Sequence, residues 1–186
     1  MQRKLNVLKG EIMGKRSVKE NKNIYQISRE EAALTRERAA EQMECISSDR
    51  IEKIESGKSL PHPDEILIMA DSYRKPNLSN YYCSHECPIG RLYVPPVEMR
   101  DLPSIVLEML ALLNSVSRDR DRLIEIASNG RINDDEYEDF SSIHNRLEKL
   151  ALTVNELRVW LDGMIMEGKV DKTALEKWKQ LEQSHL

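Results

Sequence analysis

The densest group of reactive side chains in the sequence is Cys83-Ser84-His85-Glu86-Cys87. Thiolate and imidazole are ligands for zinc, and iron accepts the same donors. Cys83 and Cys87 stand four residues apart, so on a helix both sulfurs share a face, and His85 joins them only from a loop. Three ligands fall one short of a closed tetrahedral site, leaving His62, Cys45 or a second subunit to complete it. The same residues also read as the end of a helix closing the first domain, with Cys83 and Cys87 as small buried apolar groups and Pro88 as the stop. Beyond zinc or iron at this cluster, no cofactor is expected. Three cysteines are an odd count, which in a reducing compartment points to thiols or metal ligands before disulfides.

A second run with ligand-like spacing ends at Glu136. Gly130, Ile132 and Glu136 occupy the positions of the glycine, the apolar residue and the last ligand of a calcium-binding helix-loop-helix. Its first half holds Glu125, Ala127 and Asn129, and the missing oxygen at Ala127 leaves too little charge and coordination for calcium. A capped helical hairpin is the expectation instead. The sequence contains no nucleophile elbow, metalloprotease helix, phosphate loop or Rossmann glycine pattern, and its histidines, His62, His85, His144 and His185, are scattered. No enzymatic activity is expected.

The elements that position these residues are set by length and composition. A chain of 186 residues holds one medium domain or two small ones and can bury a real core. Seven Gly and seven Pro leave little room for a turn-rich β-fold, and 32% charged residues favour helices with solvated faces. The longest apolar runs, Ile66 to Ala70 and Met109 to Leu113, are far short of the roughly 18–20 residues a membrane span needs. The N-terminal MQRKLNVLKGEIMGKR has no apolar stretch resembling a signal peptide, so a cytoplasmic protein without membrane contact is expected.

The formal charge of −4 conceals a gradient along the chain. Residues 1–22 form a basic arm with 7 basic and 2 acidic side chains, whereas residues 23–76 hold 8 and 11. Residues 77–100 are balanced at 2 and 2, and residues 101–186 carry 11 basic against 17 acidic. A basic arm beside a folded domain is suited to a polyanion, because each cation placed on a phosphate releases counterions; a solvated, frayed terminus is the plainer reading.

Between Ile24 and Tyr73 the apolar positions come in clusters separated by capping signals, which predicts four short helices. Ile24, Ile27, Glu31 and Leu34 would share a face of the first, and Thr35 would cap a second that runs through Ala39, Ala40 and Met43. Ser47-Ser48-Asp49 opens a third with Ile51 and Ile54, stopping at Gly57. Asp64 would cap a fourth after Pro61-His62-Pro63. Residues 77–100, rich in proline, read as a connector with one short helix. Beyond it the seam Leu102, Val106, Met109, Leu113, Val116, Arg120, Leu123, Ala127 steps alternately by four and three, with one polar break. A second seam, Phe140, Ile143, Leu147, Leu150, Val154, Leu157, Leu161, Met164, has no break. With a turn at Asn129-Gly130 and an Asn133/Glu136 capping box, residues 101–186 should form two long antiparallel helices, the second of about 34 residues or roughly 50 Å. Asp171 would cap a further helix with Leu175, Trp178 and Leu181. Outer apolar residues such as Ile105, Leu112, Ile124 and Trp160 then need cover, supplied by a second copy through this hairpin, by another protein, or by the rest of the same chain.

The run Leu34-Thr35-Arg36-Glu37-Arg38-Ala39-Ala40-Glu41-Gln42-Met43, followed by Ile51-Glu52-Lys53-Ile54-Glu55-Ser56-Gly57-Lys58, Pro61, Ile66, Met69 and Ala70, resembles the Xre, or lambda-repressor-like, helix-turn-helix family. The resemblance covers residues of about 24–75. It implies that one motif helix crosses the DNA backbone while the next lies in the major groove. Carried over by position, Thr35 and Arg36 would lie at phosphates, and Ser47, Ser48, Asp49, Arg50 and Lys53 on the recognition helix. Arg50 is the candidate base reader, because a guanidinium bonds guanine O6 and N7 together. Lys53 and Lys58 would add charge. Ser47 and Ser48 serve either as N-caps or as polar contacts, and Asp49 either caps the helix or accepts from cytosine. Glu44 stands where the family usually has glycine, and the segment to Ile54 is one residue longer.

These readings converge on an all-α protein: a lambda-repressor-like helix-turn-helix domain followed by a long, coiled-coil-like antiparallel hairpin. The expected function is sequence-specific binding of double-stranded DNA by a transcriptional regulator, a homodimer on an inverted repeat. The alternative is a protein-interaction module in which a degenerate motif and acidic helices dock on a protein partner.

Overall fold

The computed structural model describes residues 21–128 and 130–183. Most of the basic arm, Asn129 of the hairpin turn and His185 lie outside the described residues. The described residues are helical with no strand, and the chain divides into two compact units that meet between Pro96 and Val97. No helix among them is long and apolar enough to cross a membrane.

The first unit begins with four short helices: α1 (Ile24–Glu31), α2 (Arg36–Met43), α3 (Ser48–Glu55) and α4 (Pro63–Ser72). Each has a local start. The side chains of Asn23, Thr35 and Ser47 accept from the backbone N–H three residues on, relieving one unpaired donor at each N-terminus. α4 starts two residues earlier than the Asp64 cap predicts: His62 stands at the cap, Pro63 occupies the first helical position, where its missing N–H costs nothing, and Glu65 reaches back to the His62 amide at 2.7 Å. α3 ends at Gly57 (φ 72°), with Lys58 N–H donating to the Lys53 carbonyl at 2.9 Å.

Helices of eight residues are too short to persist alone in water, so packing holds them. The core joins Tyr25 of α1, Ala39 and Met43 of α2, Ile51 and Ile54 of α3, and Ile66 and Met69 of α4. On α1 the buried face is Tyr25, Gln26, Ser28 and Arg29, and Ile27 is exposed. Of the apolar stripe expected through Ile24, Ile27 and Leu34, Ile24 and Leu34 pack half-buried against this core while Ile27 is exposed, and Arg29 is drawn in by an acidic partner on α3.

Residues 77–100, read from sequence as a connector with one short helix, carry α5 (Asn77–Tyr81), a π-helical turn (Tyr82–Glu86) and α6 (Gly90–Tyr93). Leu78 is fully buried in the first core, and Tyr25 donates its phenol to Glu86 at 2.8 Å. A Cβ at Gly90 would lie 2.2 Å from the Cys83 carbonyl oxygen, so only glycine lets α6 approach the π turn this closely.

The second unit holds α7 (Leu102–Arg118), α8 (Arg120–Ala127), α9 (Tyr137–Met166) and α10 (Lys172–Gln183). Asp101 caps α7, and Glu136 accepts from the Asn133 amide at 2.8 Å to start the descending helix. Ion pairs of Arg100 with Glu156, Asp119 with Arg146 and Arg122 with Asp139 link low numbers on one strand of the hairpin to high numbers on the other, which fixes it as antiparallel. α9 is 30 residues, about 45 Å at the α-helical rise. The contact face differs from the predicted seam. Ile105 is fully buried and Leu112 and Trp160 are half-buried, although the sequence placed all three outside, while Val106, Leu113, Leu147 and Val154 of the seams are exposed. α7 carries two overlapping stripes that share Met109 and Val116, and periodicity alone does not choose between them.

Candidate nucleic-acid interface

The turn between α2 and α3 is short and strained. Glu44 closes α2 at φ 57° and ψ −41°, its N–H donating to the Ala40 carbonyl at 2.9 Å. This is the position of the expected glycine, and a side chain there costs backbone energy. Ala39 and Ile51 are both fully buried where α2 and α3 meet, so the opposite side of α3 faces solvent with Ser48, Asp49, Glu52, Lys53 and Ser56.

A buried ionic cluster locks the arrangement. The Glu55 carboxylate, wholly buried, receives Arg29 at 2.5 and 2.9 Å and Arg36 Nε at 2.8 Å, while Arg29 also donates to the Leu34 carbonyl at 2.6 Å. One carboxylate therefore joins α1, α2 and α3. Burial of Arg29 disfavours its charge, but the hydrogen bonds and charge of Glu55 outweigh this and hold its pKa above the ordinary value.

The residues predicted for DNA contact fall into different environments. Thr35 caps α2 and Ser47 caps α3, so both oxygens have structural work. Arg36 is partly exposed but bound to Glu55. Ser48 is half-buried, and Asp49 and Lys53 are exposed on the outer face of α3. Lys58, also exposed, pairs with Glu52 at 3.0 Å, a solvated contact worth about 0–1 kcal/mol.

Arg50 differs most from expectation. Its guanidinium donates to both oxygens of Glu65 at 2.7 and 2.6 Å, to Ser59 Oγ at 2.6 Å and to the Leu60 carbonyl at 3.0 Å. These bonds pin the α3–α4 loop, and the pair with Glu65 raises the Arg50 pKa and lowers that of Glu65. The sequence pattern could not reveal this partner, which lies fifteen residues away on the next helix. Arg38, in the first turn of α2, is exposed with no ion-pair partner among the described residues, as a cation of the motif besides Lys53. Its place three residues after Thr35 was the sequence signal for it.

Cys83 and His85 lie within the π turn and Cys87 caps it, and the three do not converge. Cys87 Sγ accepts from the Gly90 amide at 3.4 Å, and His85 stacks on Tyr81 with ring centroids 4.5 Å apart, its Nδ1 held by Ser84 Oγ at 2.8 Å. Among the described residues no group of three or more His, Cys, Asp or Glu side chains is placed to hold a metal ion. The zinc or iron set read from the sequence is therefore not assembled, because stacking and hydrogen bonding turn the imidazole to its own site.

Residues 26–76 match the family model described as a helix-turn-helix domain, a span that takes in most of α1 and all of α2, α3 and α4. No curated protein and no solved structure matches the chain.

Proposed function

We propose that this helix-turn-helix domain makes the protein a sequence-specific DNA-binding transcriptional regulator of the Xre type, acting as a dimer on an inverted repeat. The observation that carries the reading is the division of labour on α3. Its inner face builds the core and the Glu55 cluster, while Ser48, Asp49, Lys53 and Ser56 stay outside on a rigid helix. Ser48 and Asp49 are the groups for base edges, Lys53, Lys58 and Arg38 the groups for phosphates, and Thr35 and Arg36 orient the first turn of α2 against the backbone. Arg50 acts by positioning α3 rather than by reading a base, since four of its five N–H groups are already engaged.

The same face carries Asp49 and Glu52 beside its one lysine, and that charge favours a second reading, a helix-turn-helix used to dock a protein. Selection from a pool of random duplexes at two salt concentrations separates the two. Enrichment of an inverted repeat, with binding that weakens as salt rises and is lost in Lys53→Ala combined with Arg38→Ala, supports the regulator. Recovery of no preferred sequence at low salt leaves the protein-docking reading.

A further inference from the structure

The first turn of α3 carries one acidic side chain that the fold does not use. Ser47 supplies the N-cap, its Oγ accepting from the Arg50 amide at 3.2 Å, so the capping role open to Asp49 in the sequence is already filled. The cations around Asp49 are engaged elsewhere or stand apart from it. Arg50 is bound to Glu65, Ser59 and Leu60, Lys58 pairs with Glu52, and Lys53, four residues on, makes no ion pair with the carboxylate. Among the described residues Asp49 has neither a hydrogen bond nor an ion pair, and it is exposed on a helix held in place by the Glu55 cluster and the Arg50 brace.

A carboxylate on the outer face of a recognition helix is repelled by phosphates, so it fits a duplex only where a base edge offers it a donor. An ionised carboxylate accepts and never donates. In the major groove the donors are N4–H of cytosine and N6–H of adenine, while guanine and thymine present acceptors. Adenine also places its N7 acceptor beside N6, against the second carboxylate oxygen, whereas cytosine has a C–H beside N4. The chemistry therefore singles out one base.

We infer that Asp49 is a specificity determinant that selects cytosine at one position of each half-site, accepting from its N4–H. This rests on the DNA-binding reading above and deepens it by naming the base. On an inverted repeat the requirement appears twice, as cytosine in one half-site and as its complementary guanine, read along the same strand, in the other. Asp49→Asn keeps the size of the side chain but makes it both donor and acceptor, the pattern that matches adenine N6 and N7.

Duplex selection with the full chain, run in parallel on wild type and Asp49→Asn, tests the assignment. Wild type should enrich a cytosine that Asp49→Asn replaces by adenine, with the other positions of the site and the melting temperature unchanged. A second test modifies the DNA. N4-methylcytosine, placed at each enriched cytosine in turn, keeps the pair with guanine and puts a methyl group where the major-groove N–H was. At the position read by Asp49 it should weaken wild-type binding about tenfold, and Asp49→Ala should bind the modified and unmodified duplexes alike. The same site selected by wild type and Asp49→Asn, or equal wild-type affinity for every modified duplex, would overturn the inference and leave the regulator reading in place. If Asp49→Asn fails to fold, the modified duplexes decide with the wild-type chain alone. Recovery of no preferred sequence by wild type removes the regulator reading, and this inference with it.

Discussion

Arg50 and Lys53 sit one turn apart on α3, and their surroundings give them opposite expected behaviour. Arg50→Ala removes a charge-assisted bidentate pair and leaves Glu65 without its partner, so stability should fall by about 1–3 kcal/mol in chemical denaturation. Lys53→Ala should leave stability within about 0.5 kcal/mol of wild type, because the side chain is exposed, and weaken DNA binding instead. The Glu65 pKa is lowered from 4.5, chiefly by the Arg50 hydrogen bond against the opposing effect of burial. A depressed folded-state carboxylate contributes stability above its unfolded pKa and loses it as pH falls through the folded value. Melting temperatures of the wild type should therefore drop below about pH 4.5 more steeply than those of Glu65→Gln. Equal slopes for the two proteins would show that the pair contributes no pH-dependent stability.

At the scale of elements, the connections rather than the helices hold the conformational strain. Glu44 adopts φ 57° and ψ −41°, which costs a residue with a Cβ about 1–3 kcal/mol, while glycine there loses about 0.4–1 kcal/mol through greater freedom in the unfolded chain. Glu44→Gly should consequently raise the unfolding midpoint, and a lower midpoint would refute the assignment of strain to this turn. Gly90 has the reverse sensitivity. A Cβ placed 2.2 Å from the Cys83 carbonyl must push α6 off the π turn, so Gly90→Ala should lower the midpoint and open residues 87–93 to proteolysis. The sequence disclosed the start and end of α2 and α3 through Thr35, Ser47 and Gly57, since caps act on their nearest neighbours. It concealed the helical character of residues 77–93, where Pro88 and the flanking Pro76, Pro95 and Pro96 dominate the local signal but burial of Leu78 pulls the segment onto the core.

For the whole molecule, charge sets how binding must respond to salt. The chain is net −4, and the exposed cations of the motif are few, Arg38, Lys53 and Lys58 among them. A dimer that places these on phosphates should show a modest dependence of log affinity on log salt, and Lys53→Ala should reduce the slope by about 1 per protein chain contacting DNA. A slope unchanged by that substitution would remove Lys53 from the phosphate contacts. Half-sites separated by about one helical turn of DNA are the corresponding expectation for the dimer, measurable by footprinting.

The sequence by itself determined what depends on near neighbours and on period. All-helical character, the helix-turn-helix between residues of about 24 and 75, the capped tip at Asn133 and Glu136 and the long final helix of the hairpin follow from spacing, caps and glycines acting within a few residues. Tertiary structure decided whatever depends on which distant groups meet. It drew Arg29 inward to Glu55, bound Arg50 to Glu65, turned His85 onto Tyr81 and away from the cysteines, and chose Ile105 over Val106 as the face of α7 that meets α9. In each case the local pattern left more than one partner open. A single long-range ion pair, ring contact or packed side chain was enough to separate them, and no local period encodes such a partner.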